Sequence, residues 1–557
     1  MGAWVVAGCG DDTGTAFSSG ESSGNRDTIG ETWGGPQDAA SSDTSSPTWS
    51  DTGTASDTGP NDAGGNTTVS FGGAADFGYV RALIADGRVP QPREVEPEGF
   101  FAEHVTPLPP PSCGKRICVQ AMLGVMDNLV NGTSCTMIQV GLNSPIVVDP
   151  ASRPPLSLAV VVDVSGSMQS ESKIDFVKRG LERLVSELND DDRLALITYS
   201  DTVSVVAPMR EVRGQRNAFL GLVRGLVANG GTNLYGGLEA GYQALETNWD
   251  SGRQNRVILL SDGAPTAGIT DTGAILAMSA ARNSDGIGLT TVGLGVSFNV
   301  TLMRGLAEQA DGNFYFLENS TAVDEVFTEE LAYFTVQVAF DVDLEVVSGP
   351  LYDLQRATGS KRFEIAAGEG SLHVPSVFLA HRESPDDVFE GEDGGTGRRG
   401  GGSMLLLEMM PKSWDGAEAI ESLEVATVKV GYREPGTDAR VFDEVRVEYP
   451  HAPGMVLPTG FFDNAIVTKS FVVLNLYFAI EQAVLLHHGG QSRAARDLLR
   501  QVIAAAEDYE DSANDGAGDI DIRLDVVLLS DLADVITRVG RVDEPPPAPP
   551  SNPWPCD

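Results

Sequence analysis

Leu158-Ala159-Val160-Val161-Val162-Asp163-Val164-Ser165-Gly166-Ser167-Met168 sets an unbroken apolar run directly ahead of one acid and two hydroxyl residues. A short run that is apolar on both faces reads as a buried parallel strand, and its carboxyl end opens into a polar loop. Asp163, Ser165 and Ser167 alternate along the backbone, so a shallow turn aims three oxygens at one point, a donor set suited to a hard divalent cation. Further oxygens stand where later elements should turn back. Thr232 lies in the glycine-rich stretch Asn229-Gly230-Gly231-Thr232-Asn233-Leu234, and Asp262 ends the run Val257-Ile258-Leu259-Leu260-Ser261-Asp262-Gly263.

Working outward, residues 156–335 alternate strand and helix patterns. Ile174, Val177, Leu181, Leu184 and Leu188 recur at steps of three and four, which predicts a helix. Strand patterns cover 194–199, 203–207, 256–260, 289–294 and 314–316; helical patterns cover 219–227, 234–245, 275–281, 302–310 and 323–331. Such alternation predicts an α/β fold, a Rossmann-like doubly wound, mostly parallel sheet with helices on both faces. Ligands in these folds sit at the carboxyl ends of the strands, where Asp163 and Asp262 both fall.

Asp163-x-Ser165-x-Ser167, Thr232 and Asp262, in this order on α/β elements, resemble the metal-ion-dependent adhesion site of von Willebrand factor A domains. Asn255 to Gly263, Gly293-Leu294-Gly295 and Ala310 to Tyr315 are similar to further blocks of that family. The resemblance implies that Ser165, Ser167 and Thr232 ligate the ion directly, that Asp163 and Asp262 act directly or through water, and that the ion is Mg²⁺, or Mn²⁺ or Ca²⁺. Where the family often has Thr-Asp-Gly-Asp, this chain has Ser261-Asp262-Gly263-Ala264, which removes one acid but no ligand. Magnesium is seldom fully caged by protein, so the Asp or Glu carboxylate of a protein partner is expected to fill the last position.

The flanks bound the setting. Val5-Val6-Ala7-Gly8-Cys9-Gly10 resembles the lipobox of a bacterial lipoprotein signal, so residues 1–9 read as a truncated signal with Cys9 lipidated and anchoring the chain. Residues 10–75, dominated by Ser, Thr, Gly and Asp, read as a disordered tether whose reach as a flexible coil is roughly 40–45 Å. A leading helix and a cysteine-bearing hairpin are predicted over 76–155. Cys113, Cys118, Cys135 and Cys556 allow three pairings; Cys118 with Cys135 and Cys113 with Cys556 is slightly preferred, because the first two lie near the two arms of the hairpin.

Beyond the α/β stretch the period falls to two, which predicts a β-sandwich-like region over 336–465, interrupted by a glycine- and charge-rich loop at 390–402. Residues 466–540 read as helical. The apolar helix from Phe471 to Leu486 is interrupted by Asn475, Glu481 and Gln482, too often for a membrane span, which needs about 20 predominantly apolar residues. His487 and His488 read as capping groups at its end. A proline-rich tail fills 541–557. No transmembrane helix is expected.

The formal net charge of −41 argues against nucleic acid as a partner. It also repels acidic ligands at long range, so any cation must act locally, within a Debye length of about 8 Å. The chain shows no HExxH and no GxSxG set between a strand and a helix pattern as a nucleophile elbow requires, and none of its six histidines lies near the metal blocks. The expectation is therefore a non-enzymatic protein of the bacterial cell envelope that binds a protein partner through the cation. An envelope scaffold with a purely structural metal is the alternative, and a metal-assisted envelope hydrolase lacks a positioned base.

Overall fold

The computed structural model describes residues 67–71 and 76–540, save short internal stretches of which the longest are 147–152, 331–336, 391–395, 413–423, 450–460 and 513–517. The described chain opens with strand β1 (Thr67–Phe71), helices α1 (Gly78–Ala85) and α2 (Pro97–Phe101), and the hairpin β2 (Cys118–Asp127) and β3 (Ser134–Ser144). An α/β unit follows: β4 (Leu156–Asp163), α3 (Lys173–Glu187), β5 (Arg193–Tyr199), β6 (Val203–Glu211), α4 (Arg216–Arg224), α5 (Leu234–Thr247), β7 (Gln254–Ser261), α6 (Thr272–Asn283), β8 (Gly288–Leu294), α7 (Val300–Glu308), β9 (Phe314–Leu317) and α8 (Ser320–Glu325).

The six strands run in the order β6-β5-β4-β7-β8-β9, parallel except for β6 at one edge. Every residue of β4 is buried, because alternate side chains enter two separate cores. Leu158, Val160 and Val162 meet Val177, Leu181 and Leu184 of α3 on one face. Ala159 and Val161 meet Leu238 and Tyr242 of α5 on the other, where Tyr79 and Leu83 of α1 also lie. This is the doubly wound α/β fold.

The remaining strands are β10 (Gln337–Ser348), β11 (Tyr352–Thr358), β12 (Glu364–Ala366), β13 (Glu369–Leu379), β14 (Phe389–Glu390), β15 (Thr396–Gly397), β16 (Leu405–Pro411), β17 (Glu424–Arg433), β18 (Arg440–Glu448) and β19 (Phe461–Phe462). Most join an antiparallel system in the order β11-β16-β3-β1-β13-β10-β17-β18. Strand β1 changes neighbour along its length, pairing with β3 through Thr67 and Thr68 and with β13 through Val69 to Phe71. It thus joins two sheets, whose inner faces share one core from Ile138 and Val140 to Leu344 and Val428. On β3 and β16 the alternate residues Met137 and Leu406 face the other way. They meet the helices α9 (Ala465–His488), α10 (Ser492–Ser512) and α11 (Ile520–Val539).

Several expectations are corrected here. The sandwich is not built from 336–465 alone: β1, β2 and β3 precede the α/β unit and belong to it. Strand β1 also falls within the stretch expected to be a disordered tether. A disulfide joins Cys113 to Cys118, with Cα atoms 5.7 Å apart, rather than Cys118 to Cys135. In the hairpin register Cys118 faces Asn143 while Cys135 faces Met126, so those two cysteines stand at opposite ends of the strands. Cys135 is itself disulfide-bonded. Cys9, Cys556 and the proline-rich tail lie outside the described residues.

The apolar helix differs too. Ile466–His488, 23 residues, is long and apolar enough to cross a membrane by length and composition. Asn475 does not interrupt it, because the amide is buried and doubly bonded, donating to Phe471 O at 2.8 Å and accepting Leu129 N–H at 3.2 Å. Most of the helix is buried inside the protein. His487 and His488 reach Ser492 Oγ and Pro90 O instead of capping their own helix.

Candidate metal centre

The carboxyl ends of β4 and β7 and the loop ahead of α5 converge. Asp163 ends β4, fully buried; its Oδ1 accepts the Ser165 backbone N–H at 2.8 Å and its Oδ2 accepts the Ser261 hydroxyl at 2.9 Å. These bonds fold the chain after β4 into a tight turn that brings Ser165 and Ser167 together, their hydroxyls 3.0 Å apart. Ser167 donates to Asp262 Oδ1 at 2.7 Å, which ties the first loop to the end of β7.

Thr232 arrives on the third loop, which backbone bonds lock on both sides. Gly166 N–H donates to Gly230 O at 2.9 Å, Asn229 N–H to Val164 O at 2.6 Å, and Thr266 N–H to Thr232 O at 3.0 Å. Gly263 shows how the five residues surround a common space. A Cβ built there would stand 3.9 Å from both Ser167 Oγ and Thr232 Oγ1, so the missing side chain leaves room between the two hydroxyls. All five residues expected from the sequence are brought to one place.

The electrostatics favour a cation. Burial pushes the Asp163 carboxyl up, bonds from Ser165 oppose this, and the neighbouring Asp262 carboxylate adds to it. Two acids held side by side out of water are relieved by positive charge. Three hydroxyls, two carboxylates and no sulfur or imidazole make a donor set for a hard, oxygen-seeking divalent ion, and the residues present fit one. Asp163 has both oxygens engaged by protein donors, which suits a role in orienting the loop and acting through water.

Sequence reasoning missed three participants. Ser261, directly before Asp262, holds Asp163. Lys173, the first residue of α3, is buried and donates to Asp262 Oδ2 at 3.1 Å. Asp201 is exposed and lies against Gly230 and Gly231, where a Cβ would meet its carboxylate at 2.6 Å. The local motif carries no signal for Lys173 or Asp201, since each reaches the site from a separate turn.

The molecule thus combines a doubly wound α/β unit with three oxygen-bearing loops that meet at the carboxyl ends of its central strands. A sequence model of the von Willebrand factor type A domain matches residues 157–329, and the chain carries such a domain. It is similar to the uncharacterized protein YfbK of Escherichia coli (strain K12), 29% identical over 201 residues, covering 36% of this chain and 35% of that one. The chain therefore spans about a third of that relative's length. Among solved structures, a von Willebrand factor type A protein from Catenulispora acidiphila aligns over 75% of this chain and 97% of its own, at 15% identity and a TM-score of 0.46. Proximal thread matrix protein 1 from the mussel byssus, with a zinc-occupied MIDAS motif, aligns over 33% and 46% at 19% identity and a TM-score of 0.28.

Proposed function

We propose that this chain is a non-enzymatic protein of the bacterial cell envelope that captures a protein carboxylate through a divalent cation held by Asp163, Ser165, Ser167, Thr232 and Asp262. The observation that carries the reading is the space between Ser167 and Thr232 beside Gly263, ringed by oxygen donors and open at the exposed Ser167. A bound divalent cation supplies an electrophilic centre for an anionic oxygen. The protein's part is to fix the hydroxyls: Asp163 orients Ser165, Asp262 orients Ser167, and Thr266 holds the Thr232 backbone N–H at 2.9 Å.

The rim narrows the partner. Asp201 and Glu171 are exposed beside the site, while Val227 and Ile269, on the Thr232 and Asp262 loops, are 76% and 45% exposed. A carboxylate flanked by basic and apolar side chains suits this surface better than one within an acidic run. The Cys113–Cys118 disulfide supports an oxidising compartment, as does the lipobox-like sequence at Cys9.

The test is a pull-down from an envelope extract with the full chain as bait, in Mg²⁺ and in chelator, alongside Asp163→Ala. A partner retained only by the wild-type chain with Mg²⁺ is the expected result. The same partners in every sample would make the ion structural and move recognition to another surface.

A further inference from the structure

We propose that Lys173 sets the charge of the cation site: its ammonium offsets Asp262, weakening the hold on the cation itself while leaving the bound cation with the surplus positive charge that retains an anionic partner group. The proposal deepens the carboxylate-capture reading and rests on it.

The geometry around Lys173 is costly, which marks the position as built. Its Nζ lies 3.1 Å from Asp262 Oδ2, the oxygen that Ser167 leaves free, and its side chain is 8% exposed. Lysine is disfavoured at the first position of a helix, where the dipole already presents positive charge. The chain reaches this position through Glu171 and Ser172, two consecutive non-glycine residues in the left-handed region at φ 54° and 56°. L side chains are strained in that region, where Cβ crowds the following carbonyl oxygen. From the other side, Gly295 (φ +68°) makes room: a Cβ there would fall 2.5 Å from Lys173 Cε and 2.9 Å from Nζ. Strained turn, helix start and glycine converge on one ammonium.

The charge count gives the consequence. Asp163 and Asp262 together cancel a divalent cation, so a site with only these acids would hold the ion firmly and offer an anion little. The buried ammonium leaves one net positive charge, which an incoming carboxylate neutralises. Glu171 also faces Lys173, at 3.8 Å, but is 70% exposed and screened by water. Asp201, exposed at the rim, is screened in the same way.

The test uses the full chain, with Mn²⁺ as the cation and acetate as the carboxylate. Free Mn²⁺ is followed by electron paramagnetic resonance, and acetate binding by the relaxation of water protons on bound Mn²⁺. Lys173→Met should bind Mn²⁺ about tenfold more tightly and acetate about tenfold more weakly, as expected for a unit charge lost from a partly desolvated site. Lys173→Arg, which keeps the charge, should bind acetate more tightly than either neutral variant. Lys173→Gln, which keeps a donor for Asp262, carries the same expectation should the methionine variant fail to fold. Neutral variants that bind Mn²⁺ no better than wild type, or that lose both ligands together with thermal stability, overturn the proposal and leave the capture reading standing. A wild-type chain that does not bind Mn²⁺, or whose binding survives Asp163→Ala, overturns both.

Discussion

At the scale of single residues, the candidate centre depends as much on an absent side chain as on its donors. Gly263 stands between Ser167 and Thr232 with a distance of 3.9 Å from its built Cβ to each hydroxyl, an ordinary van der Waals contact. Gly263→Ala should therefore retain Mg²⁺-dependent thermal stabilisation, which follows from the binding of ligand to the native state alone. Gly263→Leu places its branch where the donors converge and should abolish that shift while leaving the melting temperature in chelator within a few degrees of wild type. A calorimetric scan with and without Mg²⁺ checks both. The five donors were legible in the sequence because each ends an apolar run or sits in a glycine-rich turn, signals that are local. Lys173 was not, because its place beside Asp262 depends on a left-handed turn at Glu171 and Ser172 and on a cleft at Gly295, more than 100 residues away in the chain.

At the scale of elements, β4 is enclosed by β5 and β7 along nearly its whole length and buried on both faces, whereas β6 is an edge with exposed residues throughout. Opening β4 requires breaking both ladders and both cores, so its amides should exchange only through global unfolding. Hydrogen exchange followed by mass spectrometry should find 158–162 among the slowest segments and 203–206 among the faster ones. Equal protection in the two would contradict this sheet order. The α/β elements could be read from sequence because parallel strands buried on both faces give continuous apolar runs. Helix α9 misled for a related reason. It is apolar on all faces over most of its length because it is largely a core helix, and its buried amide, Asn475, is satisfied by Phe471 and Leu129 instead of marking a break.

At the scale of the whole described body, the least legible feature is a chain of buried ions joining the α/β unit to the β and helical layers. Arg399 contacts Asp76 at 2.9 Å, Glu318 at 2.8 Å and also Glu325 of α8. Arg398 reaches Glu103 at 3.1 Å and Asp525 of α11, and Arg382 reaches Asp521 at 2.9 Å. The glycine- and charge-rich run at 390–402 was expected to be a loop between strands, yet Arg398 and Arg399 are buried, drawn in by carboxylates that lie far away in sequence. The register of β3 with β16, which sets Val140 against Leu405, is hidden for the same reason. Burial would push the Glu318 carboxyl up, but the Arg399 and Arg81 guanidiniums outweigh it and hold it at about 2, against an ordinary 4.5. A carboxyl held low in the folded state adds stability that is complete above pH 4.5 and fades as the pH falls toward 2. Arg399→Met strands Asp76 and Glu325 without this partner and should cost about 3–5 kcal/mol in urea unfolding at pH 7. The gap between wild type and variant should narrow as the pH is lowered through that window.

The way the α/β unit is inserted has a mechanical meaning. Chain enters it from β3 and leaves it into β10, and both of these are interior strands, β3 between β2 and β16 and β10 between β13 and β17. A pull delivered at Asp163 and Thr232 therefore leaves by two covalent routes at once, each ending in a strand hydrogen-bonded on both sides. The arrangement is that of a shackle pinned at both ends, in which neither limb can be drawn out before the sheet that grips it begins to shear.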